Sequence, residues 1–184
     1  MAIGHYGRDI VIIISAEHQN KKKYFDKFMD VLVSCGISKI EIYCGASTIK
    51  HSRLELDYAL RESTYSLRAC KILQKEYLTF SGIGVYQFLL PCEQNSYLQG
   101  FANRYLEPLF EEESEQNRKH METAISYVLN GGQIKETATQ LNIHENTARY
   151  RIEKLKEKLD SDVTEYEFYS NLNIAIKLYQ LKED

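Results

Sequence analysis

Between residues 131 and 159 the apolar positions trace two helical stripes with a break between them. Ile134, Ala138 and Leu141 recur at i, i+4 and i+7, the spacing of one helix face. The pattern stops at Asn142, a residue type that tolerates the left-handed conformation at a helix end. It restarts after Ile143 with Ala148, Ile152, Leu155 and Leu159. Two helices this short bury both stripes only by crossing closely, which the small side chain of Ala138, beside Thr137, permits. Gly131 and Gly132 give the preceding turn its freedom. The spacing predicts a helix-turn-helix, the layout in which the N-terminal end of the second helix enters the DNA major groove. Upstream, Met121, Ala124, Ile125, Val128 and Leu129 predict a supporting helix. Downstream, 160–162 predict a break, and Leu172, Ile176, Tyr179 and Leu181 a closing helix over 168–181.

Before residue 93 the pattern changes. Residues 10–14 are continuously apolar and mostly β-branched, which predicts a buried strand. Phe25, Phe28, Met29, Leu32 and Val33 predict a helix over 21–35, ended by Gly36. A second strand follows over 40–44, and Leu56, Ala59, Leu60, Leu67 and Ala69 predict a long amphipathic helix over 54–73. A short strand at 77–80 and a short helix at 85–90 complete an alternation that implies a layered α/β or α+β domain. Residues 94–96 are a polar break. Tyr97, Phe101 and Leu106 then make a short amphipathic segment stopped at Pro108, and the acidic run 111–115 reads as a solvated face. The expected division is a domain over 1–92, a linker with a connecting helix over 93–117, and an all-α domain over 118–184.

Composition narrows the function. The hydrophobic and charged fractions, 43% and 27%, are ordinary for a soluble globular chain. Net charge is −3, so no global basic field advertises nucleic acid and any DNA contact rests on a local patch. Over 144–158, five cations (Arg149, Arg151, Lys154, Lys156, Lys158) face three anions (Glu145, Glu153, Glu157), a net of +2. One copy of so modest a patch binds weakly, and a homodimer reading two half-sites is expected. Cys35, Cys44, Cys70 and Cys92 show no CxxC and no zinc-finger spacing, and read as reduced thiols of a cytoplasmic protein. The five histidines lack metal spacing and no Ser–His–Asp order stands out. No catalytic, cofactor or metal residue is assigned. The first nine residues lack the apolar core of a signal peptide, and the apolar run 10–14 is too short to span a bilayer.

The second helix of the pair carries the candidate chemistry. With Ala148, Ile152 and Leu155 inward, Asn146, Tyr150, Glu153 and Glu157 point outward and Arg149 stands on the shoulder. Asn pairs bidentately with adenine and Arg with guanine, each discriminating by about 1–3 kcal/mol. Thr147, Arg151 and Lys154 flank this surface and suit phosphates, as do the free amides of the helix N-terminus. Alternatives stay open at three positions. Arg151 sits at the core edge and either meets phosphate or bridges an acid such as Glu136. Tyr150 is a DNA contact or a packing residue. His144, directly before the helical run, reads as a cap for it ahead of a base reader.

On these residues the chain resembles a family. Glu136, Thr137, Ala138, His144, Asn146, Thr147, Arg149, Tyr150, Arg151 and Ile152 are similar, over roughly 118–181, to the C-terminal helix-turn-helix of PucR/CdaR-type bacterial transcription regulators. The family usually carries Arg where this chain has Glu145, so position 145 is not carried over. Less specifically, Tyr6-Gly7-Arg8-Asp9 before an apolar strand, Tyr43 to Ser47, Leu60, and Tyr65 to Ala69 resemble the later part of a GGDEF-type nucleotide-cyclase fold. Arg8 replaces the second Gly of that signature and Ile10 its Glu, so the resemblance implies a degenerate, non-catalytic domain. It implies an α+β, partial GGDEF-like domain followed by an all-α, Fis-like helix-turn-helix domain. It further implies a piece of a longer regulator, the strand at Ile10 lacking its usual partner and a small-molecule effector being sensed by a domain absent from this chain. The alternative is a short protein that repairs the sheet edge by dimerising. Three functions are weighed: a sequence-specific transcription regulator bound to double-stranded DNA, which the residues favour; a cyclic-dinucleotide enzyme; and a non-catalytic interaction or dimerisation module.

Overall fold

Ala2–Tyr6 (β1) and Asp9–Ile13 (β2) pair antiparallel, with Tyr6 opposite Asp9 and Ala2 opposite Ile13. Gly7, at φ +63°, takes the loop position that a tight two-residue hairpin reserves for positive φ. This corrects two expectations about the Ile10 strand: it has a partner in β1, and it is not buried, since Ile10 is 62% exposed. In this computed structural model residues 2–14, 21–34, 36, 42–111, 114–159 and 162–183 are described. They fall into two units, Met1–Gly84 and Val85–Asp184.

In the first unit, Lys21–Ser34 (α1) seats Met29 in the interior and stacks Phe25 on Tyr77 at 4.7 Å between ring centroids. Cys44–Ala46 (β3) and Tyr77–Thr79 (β4) pair in parallel and are joined through Leu56–Leu73 (α2). A parallel pair requires such a crossover, because a tight turn cannot return the chain in the same direction. Residues 40 and 41, expected to open the second strand, lie outside the described residues. A 3₁₀ turn, Arg53–Glu55, starts α2, with Ser52 and Glu55 forming a reciprocal capping box. α2 buries Ser66, Ala69 and Cys70. It lies so close to β3 that a Cβ on Gly45 would sit 2.1 Å from the Leu67 nitrogen. Lys50 and Glu62 form a half-buried ion pair at 2.7 Å, and Thr48 adds two hydrogen bonds to the same carboxylate, holding it below the usual carboxylate range against the opposing effect of burial.

The second unit is helical: Tyr86–Leu89 (α3), Ser96–Leu106 (α4), Glu115–Leu129 (α5), Ile134–Gln140 (α6), Glu145–Leu159 (α7) and Glu165–Glu183 (α8). Asn95 caps α4, Ser114 caps α5, and Thr164 and Glu167 form a reciprocal box at the start of α8. Within the segment expected as a linker with a connecting helix, 93–117, α4 packs into this unit, while most of the segment's described residues are exposed or half-buried. Ala102 and Leu106 of α4, and Leu109 beyond it, are buried, because α4 packs along α8. The core gathers Leu106, Leu109, Ala124, Tyr127, Val128, Ile152, Leu155, Phe168, Leu172, Ala175 and Ile176. Eleven largely buried side chains from α4, α5, α7, α8 and the turn after α4 give α7 a fixed seat. Burial of each Leu, Ile or Phe contributes roughly 1.5–3 kcal/mol.

Candidate nucleic-acid interface

The two turns of the helix pair have the same construction. At the end of α5, Gly131 donates to the Val128 carbonyl at 3.1 Å and Gly132 to Tyr127 at 2.9 Å. At the end of α6, Asn142 donates to Thr139 at 3.2 Å and Ile143 to Ala138 at 3.0 Å. Both are Schellman closures, and they place Gly131, Gly132 and Asn142 at positive φ (+63°, +79° and +52°). Ser126 and Asn130 donate to the Gln140 side-chain oxygen, tying the end of α5 to the end of α6. Thr137, Ala138 and Ala148 are almost wholly buried, so the helices meet on small side chains as the sequence predicts.

α7 begins at Glu145, and His144 is its cap. The His144 Nδ1 accepts the Asn146 amide at 3.2 Å, and its carbonyl accepts Thr147 and Ala148. An Nδ1 that accepts leaves the proton on Nε2. Ala148, Ile152 and Leu155 face the core. Asn146, Thr147, Arg149 and Tyr150 are exposed, and Arg151 and Lys154 are half-buried. The structure therefore brings together the seven residues proposed from sequence, along one end and flank of α7. Glu145 is also exposed at this end, where a carboxylate suits the helix dipole.

The cations of α7 are not equivalent. Lys154 pairs with Glu157 at 2.5 Å and lies 5.9 Å from the Tyr150 ring centre, and its ammonium is held above the usual lysine range, first by the Glu157 hydrogen bond. Lys156 pairs with Glu165 at 2.7 Å, and Lys158 donates to the Asn117 side-chain oxygen at 2.8 Å. Arg149 and Arg151 have no ion pair among the described residues, and the bridge from Arg151 to Glu136 is not formed there. Of the three α7 cations without an ion pair among the described residues, Arg149 and Arg151 thus sit in its first two turns, beside Asn146, and Lys158 in its last.

A feature the sequence did not reveal lies at the other end of α7. A cleft of about 340 Å³ is lined by Ser114, Gln116, Asn117 and His120 of the α5 start and by Lys154, Glu157 and Lys158 of α7. His120 is 6% exposed, and its Nδ1 is buried without a hydrogen-bond partner. Burial pushes its imidazole below the usual histidine range, and the charges of Lys158 and Arg151 add to the effect. Ser114, the cap of α5, and Asn117 and His120 within the helix recur at i, i+3 and i+6. That spacing marks a polar face but not what it meets 40 residues on.

Among the described residues no cluster of His, Cys, Asp and Glu could hold a metal ion, and no helix is long and apolar enough to cross a membrane. Residues 120–178 match the family profile described as the PucR C-terminal helix-turn-helix domain. Three relatives come from Bacillus subtilis (strain 168). The chain is 26% identical to the proline-responsive transcriptional activator PutR over 77% of its own length and 35% of that protein. It is 34% identical to the purine catabolism regulatory protein over 50% of this chain and 17% of that one. It is 24% identical to the DNA-binding transcriptional activator AdeR over 90% of this chain and 37% of that one. The chain thus spans well under half the length of each of these three relatives. No solved structure matches it.

Proposed function

We propose that this chain, whose residues 120–178 match the PucR C-terminal helix-turn-helix domain, is the DNA-reading end of a cytoplasmic, sequence-specific transcription regulator. In this reading the N-terminal turns of α7 enter the major groove. Asn146 and Arg149 read base edges, Thr147, Tyr150, Arg151 and Lys154 position the helix on the backbone, and His144 holds the helix start in shape. The observation that carries the proposal is the coincidence, in those first turns, of exposed Asn146 with Arg149 and Arg151, the two α7 arginines, which lack ion pairs among the described residues. A net of +2 on this segment favours two copies on two half-sites over one. That leaves the homodimer supported by charge alone, since β1 already partners the Ile10 strand. The first unit plays a non-catalytic part: Arg8 and Ile10 stand where a magnesium-dependent cyclase needs a glycine and an acid. A small-molecule effector is sensed outside the present chain.

The test is a binding titration on a duplex selected from genomic fragments, with a scrambled duplex beside it. Asn146→Ala and Arg149→Ala are expected to keep the parent's stability within about 0.5 kcal/mol. Each should weaken the selected duplex by about 1–3 kcal/mol and relax preference at one base position. Lys154→Ala should weaken both duplexes alike. Variants at 146 and 149 that bind the selected duplex as tightly as the parent would mean that α7 does not read bases.

A further inference from the structure

We propose that the cleft between the start of α5 and the last turns of α7 is a phosphate-binding site, built from the α5 amides, His120, Lys158 and Lys154. It stands apart from base reading, at the opposite end of α7.

α5 is 15 residues long, and the Ser114 hydroxyl accepts the Asn117 amide at 3.1 Å. The amides of Glu115 and Gln116 find no acceptor among the described residues. Such a helix start is a ready donor set for an anion. The second, independent feature is His120. The residue is only 6% exposed, lines the same cleft and leaves its Nδ1 unpartnered. Buried side-chain nitrogens in native structures nearly always have a partner. The Nδ1 completes itself either by donating to an oxygen acceptor or by taking a proton beside an anion, and among the described residues it has no hydrogen-bond partner.

The charges agree in sign. Lys154 and Lys158 line the cleft, and Arg151 acts on His120 from the adjoining turn. Among the described lining residues the opposing group is Glu157, whose carboxylate also holds Lys154. An incoming anion competes with Glu157 for that ammonium, and with the Asn117 side-chain oxygen for Lys158. Glu115 is turned to Lys119 and does not line the cleft. Donors arriving from a helix start, an imidazole and two ammonium groups outnumber the two oxygens of a carboxylate and suit the several oxygens of a phosphate. The phosphate comes either from the backbone of a duplex or from a free phosphate-bearing molecule.

Histidine-labelled full chain, followed by its ring nitrogen resonances, separates these sources. Inorganic phosphate is added at fixed ionic strength against chloride, and a non-specific duplex is added in a second series. The His120 resonances are expected to move saturably with phosphate and not with chloride, and the apparent His120 pKa to rise, because a bound anion favours the imidazolium. Lys158→Gln, at an exposed position, should keep the fold and weaken the response roughly tenfold, the size of one charge-assisted hydrogen bond. Lys154→Gln serves the same purpose should Lys158→Gln unfold. Movement by duplex that free phosphate competes away assigns the backbone as the source. Movement by duplex alone, lost in Lys158→Gln, does the same. Movement by phosphate alone assigns a free ligand. A His120 signal still in every series, or moved equally by chloride, overturns the site. So does a response unchanged by the lysine variants. The phosphate series contains no DNA, so its outcome does not depend on whether Asn146 and Arg149 read bases.

Discussion

Gly131 and Gly132 stand side by side in one Schellman turn, yet they should answer replacement by Ala differently. Both have positive φ, +63° and +79°. That conformation costs an L-residue about 1–2 kcal/mol. Stiffening the unfolded chain returns about 0.4–1 kcal/mol at either site. A Cβ on Gly131 meets nothing within 4 Å, so Gly131→Ala should cost about 1 kcal/mol net, the backbone term alone. A Cβ on Gly132 would lie 3.0 Å from Cε2 and 3.1 Å from Cδ2 of Tyr169. That ring must slide by a few tenths of an ångström. It is held edge-on against Tyr127, with centroids 5.6 Å apart, and so yields with resistance. Overpacking of this kind adds about 1–3 kcal/mol, bringing Gly132→Ala to roughly 2–4 kcal/mol. Urea unfolding followed by helix circular dichroism measures the difference as a shift in midpoint at constant slope. In a Tyr169→Ala background the excess of Gly132→Ala over Gly131→Ala should vanish. Equal costs for the two single replacements, or an excess that survives removal of the Tyr169 ring, would refute the contact as its cause.

Two other outcomes follow from the packing and the charges. Gly45→Ala places a Cβ 2.1 Å from the Leu67 nitrogen and 2.3 Å from the Ser63 oxygen. Since both are backbone atoms, α2 must move by more than about 1 Å. Hydrogen exchange should show α2 amides losing protection while those of α7 keep theirs, and unchanged α2 protection would contradict the close approach. His120 gives a pH signature. Its folded value lies below the ordinary 6.5, so between the two values the unfolded chain binds the extra proton. The second unit should hold its full stability above about pH 6.5 and lose part of it as the pH falls below that value toward the depressed one. Melting curves of the parent and His120→Gln from pH 5 to 8 should diverge in shape below 6.5, and parallel curves would count against the buried neutral ring.

Much of the second unit was legible because its apolar spacing is unbroken. Ala148, Ile152 and Leu155 face the core as their period requires, and Asn142 takes the left-handed turn expected of it. His144 caps, as its place before the helical run implied. What the sequence hid are partners made across distance. β1 contains Gly4 and His5, poor strand formers, and its pairing with β2 exists only through the Gly7 turn. The β-branched run at 10–14 looked buried, yet strand propensity reports a fit to a pleated surface and not the presence of a covering layer. α4 read as a connector because a short amphipathic stripe does not say which helix it packs on. Lys158 and Asn117 meet across 41 residues, and no local spacing announces the cleft they line.

Lys154 also bears on how ions partition around a complex. A lysine that meets DNA phosphate ordinarily displaces close to one condensed cation, which sets a salt exponent of about 0.9 per contact. Lys154 already has Glu157 as its counter-charge. When a phosphate takes that place, the freed carboxylate gathers a cation of its own, and the net release to solution falls. Binding through α7 should therefore tolerate added salt better than a count of its lysines implies. Glu157→Gln should tighten binding at low salt and steepen its decline as salt rises.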